Sequence, residues 1–290
     1  MSAGSEARLQ ALDEVLDRAA SSARTGDQGL LKTIVAAVQG APSESDLDAL
    51  PRDLFAVVDA LDSSASLRRA LTDPGTDERG RQQLAHTLLD GKVSKLAVQV
   101  VAEAVAMRWA GGRTLAAALE RQAIRAQLMG AERQGNLEET EDELFRFARV
   151  VESTPEVRDA LSDRAVDLAG RRQLVEDLLG GRATETTTVL AKRAVAARER
   201  TFAHTIEGFV ALAAAQKNRV IATVRVAQPL TPEQRSRLQA ALAKQVGREV
   251  VVQEVLDEDV LGGVRVAVGD EVLDSTVEAR LRQAQRRLER

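Results

Sequence analysis

The chain has 290 residues, a net charge of −4 and an isoelectric point near 5.5, a balance that argues against a general nucleic-acid binder. It lacks cysteine, which removes disulfides and thiolate metal sites, and only 2 % of its residues are aromatic. A core made mostly of Ala, Leu and Val suits close-packed helices better than a carbohydrate- or base-stacking surface.

Glu6 to Arg24 and Gln28 to Val38 read as amphipathic helices, and Ser43 to Asp53, with Pro42 and Pro51, reads as a loop-rich interruption. From there the chain repeats itself with a constant offset. Leu54-Phe55 matches Leu144-Phe145. LRRALTDPGTDERGRQQLAHTLLDGK from Leu67 lies over VRDALSDRAVDLAGRRQLVEDLLGGR from Val157. The ungapped match carries Asp73/Asp163, Gly80/Gly170 and Gly91/Gly181, which points to duplication rather than to chance between two Ala/Leu-rich stretches.

Within the second copy, Leu137, Leu144, Ala148 and Val151 form one helical stripe, and acidic residues load its first turns, where the helix dipole favours anions. Arg171 to Leu179 forms a short helix ended by Gly180-Gly181. Leu190, Ala194, Ala197 and Thr201 continue as another stripe. The helical region runs to about Lys217 and is expected to pack as two bundles sharing or abutting a long helix near Thr114 to Met129.

After Asn218 the period changes to alternation. Val220, Ala222, Val224 and Val226 face one way, as a half-buried strand requires. Thr231, Pro232 and Gln234 make a capping box for a helix that stops at Gly247. Arg248 to Leu256 and Val264 to Val268 read as strands. Gly269-Asp270 reads as a hairpin turn into Glu271-Val272-Leu273, and Ser275 opens a terminal helix. The fold class is therefore α+β, mostly α: tandem helical bundles followed by a small mixed β-sheet domain with two helices. The expected domains are 1–113, 114–218 and 219–290.

A search for chemistry returns little. Gly262-Gly263 lacks the Gly-x-Gly-x-x-Gly layout and a following Lys-Ser/Thr, so a bulge or tight strand entry suits it better than a phosphate loop. His86 and His204 stand at different positions of the repeat, without carboxylates at ligand spacing. No metal, cofactor or catalytic residue is expected. The basic terminal helix (Arg280, Arg282, Arg286, Arg287, Arg290) reads as a solvated face. No stretch reaches the roughly 20 apolar residues of a bilayer span, and the first residues lack a signal peptide's layout.

The C-terminal third resembles the δ subunit of the rotary ATP synthase, whose mitochondrial counterpart is the oligomycin-sensitivity-conferring protein. The resemblance is carried by Ala222 to Thr231, with Pro229 and Leu230 at the strand-to-helix entry. It continues from Asp257 or Asp259 through Leu261-Gly262-Gly263 to Gly269-Asp270, then through Val272-Leu273-Asp274 to Arg280-Leu281. The family's Gly-Ser is Ser275-Thr276 here. Its Pro after a Leu-x-[ND] segment is Arg164 in the second copy and Pro74 in the first. The likeness covers about Thr114 to Arg290, with the first copy as an added helical domain.

The resemblance implies a non-catalytic stator subunit, peripheral on the cytoplasmic face of a bacterial cell membrane. It would link N-terminal helices of the α subunits to the b subunit of the peripheral stalk and resist rotor torque. Extended δ subunits are sometimes fused to a membrane-anchored b segment, and no such anchor is expected here. The implied α-helix groove lies between the first and fifth helices of the bundle, on the Leu119, Ala123, Leu128 face and the Leu190, Ala194, Ala197 face. The rival reading is a helical-repeat adaptor outside ATP synthase.

Overall fold

The computed structural model describes residues 3–25, 43–163, 165–197, 201–247, 249–257, 265–268 and 271–274. The expected helix over 28–38, the Gly262-Gly263 segment, the Gly269-Asp270 turn and the terminal helix lie outside them. The chain divides into two compact units, Met1–Lys217 and Asn218–Arg290.

The first unit is helical: α1 (Ala3–Thr25), α2 (Glu44–Ser63), α3 (Ala65–Leu71), α4 (Glu78–Leu89), α5 (Lys95–Ala106), α6 (Gly112–Arg133), α7 (Leu137–Ser153), α8 (Pro155–Ser162), α9 (Leu168–Leu179), α10 (Glu185–Ala194) and α11 (Phe202–Lys217). The repeat is visible in three dimensions, since α2–α6 recur as α7–α11 with matching local bonds. The Gly80 N–H donates to Asp77 Oδ1 at 2.8 Å, and the Gly170 N–H to Asp167 Oδ1 at 2.6 Å. The Ser94 N–H donates to Asp53 at 2.7 Å, and the Thr184 N–H to Glu143 at 2.9 Å. Gly91 and Gly181 both take a left-handed φ, 73° and 68°, where a side chain would be strained.

One expectation fails at the start of the first copy. Ser43 to Asp53 is not a loop: Ser43 caps α2 and exchanges bonds with Asp46 as a capping box, and Pro51 sits inside the helix, buried. Burial of Leu47, Leu50, Leu54, Val57, Val58 and Leu61 along the same helix outweighs the lost backbone bond of that proline. A second expectation also fails. The stripe from Leu190 to Thr201 is broken, because α10 ends at Ala194 and α11 begins only at Phe202.

Two cores fill the unit. Leu12, Leu16, Leu50, Leu54, Leu61, Leu96, Leu115 and Leu119 belong to the first. Leu128, Leu144, Val151, Leu161, Val175, Leu190 and Ile206 belong to the second, where Phe147 and Phe202 meet edge-to-face at 5.7 Å. The long helix α6 serves both. Leu115, Leu119 and Ala123 enter the first core, and Ile124, Leu128 and Ala131 the second.

The second unit contains β1 (Arg219–Val226), α12 (Pro232–Val246), β2 (Glu249–Leu256), β3 (Arg265–Val268) and β4 (Glu271–Asp274), with strand order β2-β1-β3-β4. β1 and β2 are parallel and joined by α12, which is the long crossover a parallel pair needs; the other two pairings are antiparallel. Ala222, Val224, Val226, Val250, Val252, Val266 and Leu242 form its core. Thr231 and Gln234 complete the capping box of α12, and Gly247 ends it at φ 71°. The fold class is the one the sequence indicates, mostly α with a small mixed sheet.

Candidate partner-binding faces

Five of the six residues assigned to the helix groove are core. Leu119 and Ala123 are fully buried in the first core, and Leu128, Leu190 and Ala194 are buried in the second. They do not form an open face. Only Ala197 reaches the surface, past the end of α10, where it lines a cleft of about 460 Å³ with Asp59, Asp62, Arg171 and Arg172. The apolar stripe was visible in the sequence, but which neighbouring helix already covers it was not.

The family-motif residues divide similarly. Pro229 stands in the connection between β1 and α12. Leu230 packs against the sheet core, and its N–H donates to Glu254 at 3.2 Å. Asp274 ends β4 opposite Arg265. Gly262, Gly263, Gly269 and Asp270 lie outside the described residues.

Charged groups, which the sequence left unremarked, organise two helix seams. On the first, Arg125 of α6 reaches Asp13 at 3.0 Å and Asp17 at 2.8 Å on α1, with Arg121 also on Asp13 and Gln122 Nε2 donating to Asp13 at 2.7 Å. Burial alone would raise the Asp13 carboxyl, but Arg125 and Arg121 outweigh it and hold it below the ordinary 3.8.

The second seam joins the two copies. Arg193 of α10, with a side chain 7 % exposed, reaches Glu120 of α6 at 2.7 Å and Asp59 of α2 at 2.5 Å. Its guanidinium also lies over the Phe55 ring, 5.0 Å from the centroid. Burial pushes the Arg193 pKa down, but Glu120 and Asp59 more than reverse it and keep the group firmly charged. Nothing in helical periodicity singles out Arg193. The repeat does, because the first copy has Glu103 at the same place.

His86 and His204 are exposed; His86 pairs with Asp90, the residue capping the end of α4, at 3.3 Å, and His204 with Glu207 on α11 at 3.2 Å. Among the described residues no cluster of His, Asp or Glu could hold a metal ion, and no helix is long and apolar enough to cross a membrane.

The class is that of a tandem helical-bundle protein with a small mixed sheet, held by packed apolar cores and buried ion pairs. The comparisons make that class specific. The model of a family described as ATP synthase delta (OSCP) subunit matches residues 125–288. An ATP synthase subunit delta of Kineococcus radiotolerans is 41 % identical over 269 residues, covering 90 % of this chain and 98 % of that protein. One from Streptomyces avermitilis is 43 % identical over 244 residues, covering 84 % and 89 %. One from a Parafrankia species is 45 % identical over 239 residues, covering 82 % and 86 %. This chain belongs to the ATP synthase delta (OSCP) subunit family. It is accordingly a non-catalytic subunit of an F-type ATP synthase. The relative covering 90 % of the chain aligns across both copies, so the added first copy is shared with it.

Proposed function

We propose that the chain is the stator connector of its complex, holding N-terminal helices of the α subunits with its helical unit and the b subunit of the peripheral stalk with its sheet unit. In that place it works on the cytoplasmic face of the bacterial membrane and resists the torque of the rotor. The family match over residues 125–288 carries this reading, because it spans the second bundle and the sheet unit together. The physical layout supports it. Two linked contacts on one chain raise avidity by effective concentration, so neither needs to be tight alone.

Because Leu119, Ala123, Leu128, Leu190 and Ala194 are buried, the α-helix site is proposed to lie on the half-buried rims of the same two helices, Gln127 on α6 and Val189 on α10 among them. The first copy, residues 1–113, is proposed to engage a further α helix or brace the stalk. Its role is best tested in the full chain, since removing it would expose Leu115, Leu119 and Ala123 of α6.

The test is calorimetry of the full chain against a peptide carrying the amphipathic N-terminal segment of the cognate α subunit. Saturable binding, weakened by V189E, is expected. No binding by a chain with native circular dichroism would return the protein to a generic adaptor role.

A further inference from the structure

We propose that the edge between α7 and α11 is a docking groove for a single acidic amphipathic helix. The counterpart of this groove in the first copy is already filled. There α10 seats against α6, with Gln127 Nε2 donating to Thr186 at 3.2 Å, and Arg193 spans Phe55 and Asp59 of α2 and Glu120 of α6. Ninety residues further on, the positions of Phe55, Asp59, Glu120 and Gln127 are held by Phe145, Arg149, Val210 and Lys217.

Phe145 keeps the apolar seat but is 54 % exposed, the largest exposed aromatic surface among the described residues. Phe55, by contrast, packs against both cores. The side chains at these equivalent positions have changed from acidic and neutral to basic and neutral. Two carboxylates that receive a guanidinium become a guanidinium and a valine, and a neutral amide becomes an ammonium. A helix bearing a carboxylate where α10 bears Arg193 is therefore the complementary occupant. Arg149 pairs with Glu152 at 3.5 Å and Lys217 with Glu138 at 2.8 Å, with Glu141 also near Lys217; these are surface pairs, which a desolvated partner can displace at little cost.

The array's own construction limits the occupant to one helix. α6 ends the first copy and opens the second, so the helix that would open a third copy is already present as α11. Among the described residues of the helical unit, what the groove lacks is a helix in the α10 position, and α10 is only 10 residues long. This surface lies on other helices than the α6/α10 rim, so the inference stands apart from the proposed function.

The probe is a stapled, fluorescent peptide of residues 184–197 carrying R193E, titrated by anisotropy into the full chain. Saturable binding is expected, weakened at least tenfold by F145A and by R149E, with R149E gaining affinity for the unaltered Arg193 peptide. Both substitutions are on the surface, and unchanged helicity by circular dichroism confirms that the variants fold. Absence of saturable binding, or binding that F145A and R149E leave unchanged, would overturn the proposal. So would concentration-dependent self-association removed by E103R, which would make α5 of a second copy the occupant. If the α-subunit peptide binds wild type and variants alike while the stapled peptide does not bind, the stator reading stands and this one falls.

Discussion

Replacing Arg125 with alanine should loosen the first bundle more than any surface change. The Arg125 side chain is 4 % exposed and is shared by Asp13 and Asp17, themselves buried on α1. Removing it takes the shared guanidinium from two buried carboxylates. Breaking a buried pair costs about 3–5 kcal/mol, and because Arg121 and Gln122 still serve Asp13 the lower end, about 3 kcal/mol, applies. With a urea m-value of about 3 kcal/mol/M, that shifts the unfolding midpoint by roughly 1 M.

Trp109 is the natural reporter. It is the sole tryptophan, it packs against the first core, its indole N–H donates to the Ala104 carbonyl at 2.8 Å, and Arg8 of α1 lies over its ring. Its fluorescence should report the shifted transition. The pH dependence has a definite sign. Asp13 is held below its ordinary value, so its contribution is complete above the unfolded pKa and is lost as pH falls through the lower folded one. The gap between wild type and R125A should therefore be full at neutral pH and narrow in the acid range below 3.8. A midpoint shift under 0.2 M at pH 7, below roughly 0.6 kcal/mol at that slope, would refute the reasoning.

Two further outcomes follow from close contacts. A Cβ added at Gly112 would stand 2.5 Å from Arg68 Cβ and 3.1 Å from its carbonyl oxygen, whereas one at Gly111 meets nothing within 4 Å. G112A should lose about 1–3 kcal/mol by overpacking while G111A stays near neutral in thermal melts. Arg81 donates to the Val105, Ala106 and Thr76 carbonyls, at 2.6, 2.8 and 2.5 Å, but among the described residues its repeat partner Arg171 shows one bond, to Val195 at 3.2 Å. R81A should therefore cost about 3 kcal/mol, from several stranded carbonyls, and R171A about 1 kcal/mol. Equal losses in urea titrations of the two variants would contradict this.

What the sequence discloses here depends on how local the signal is. The Thr231-Gln234 capping box, the stop at Gly247 and the alternation of Ala222, Val224 and Val226 rest on neighbours in sequence, and each is found as expected. Pro51 misleads because a proline read locally breaks a helix, while the burial that retains it comes from α6 and the rest of the core. The stripe through Leu190, Ala194 and Ala197 misleads differently, since periodicity identifies an apolar face without saying which helix covers it. Arg193 is least legible of all. It looks like any surface cation until Glu120, Asp59 and Phe55, more than 70 residues away, close around it.

α6 spans 22 residues, about 33 Å at the helical rise. Multi-bundle chains often join their bundles by a linker that swivels freely. Here one unbroken helix is gripped by the first core along one half and by the second along the other. Turning one bundle against its neighbour would mean twisting that rod or tearing it from one of its grips, and both resist from the first degree. α6 is thus a splint, one continuous rod common to both bundles.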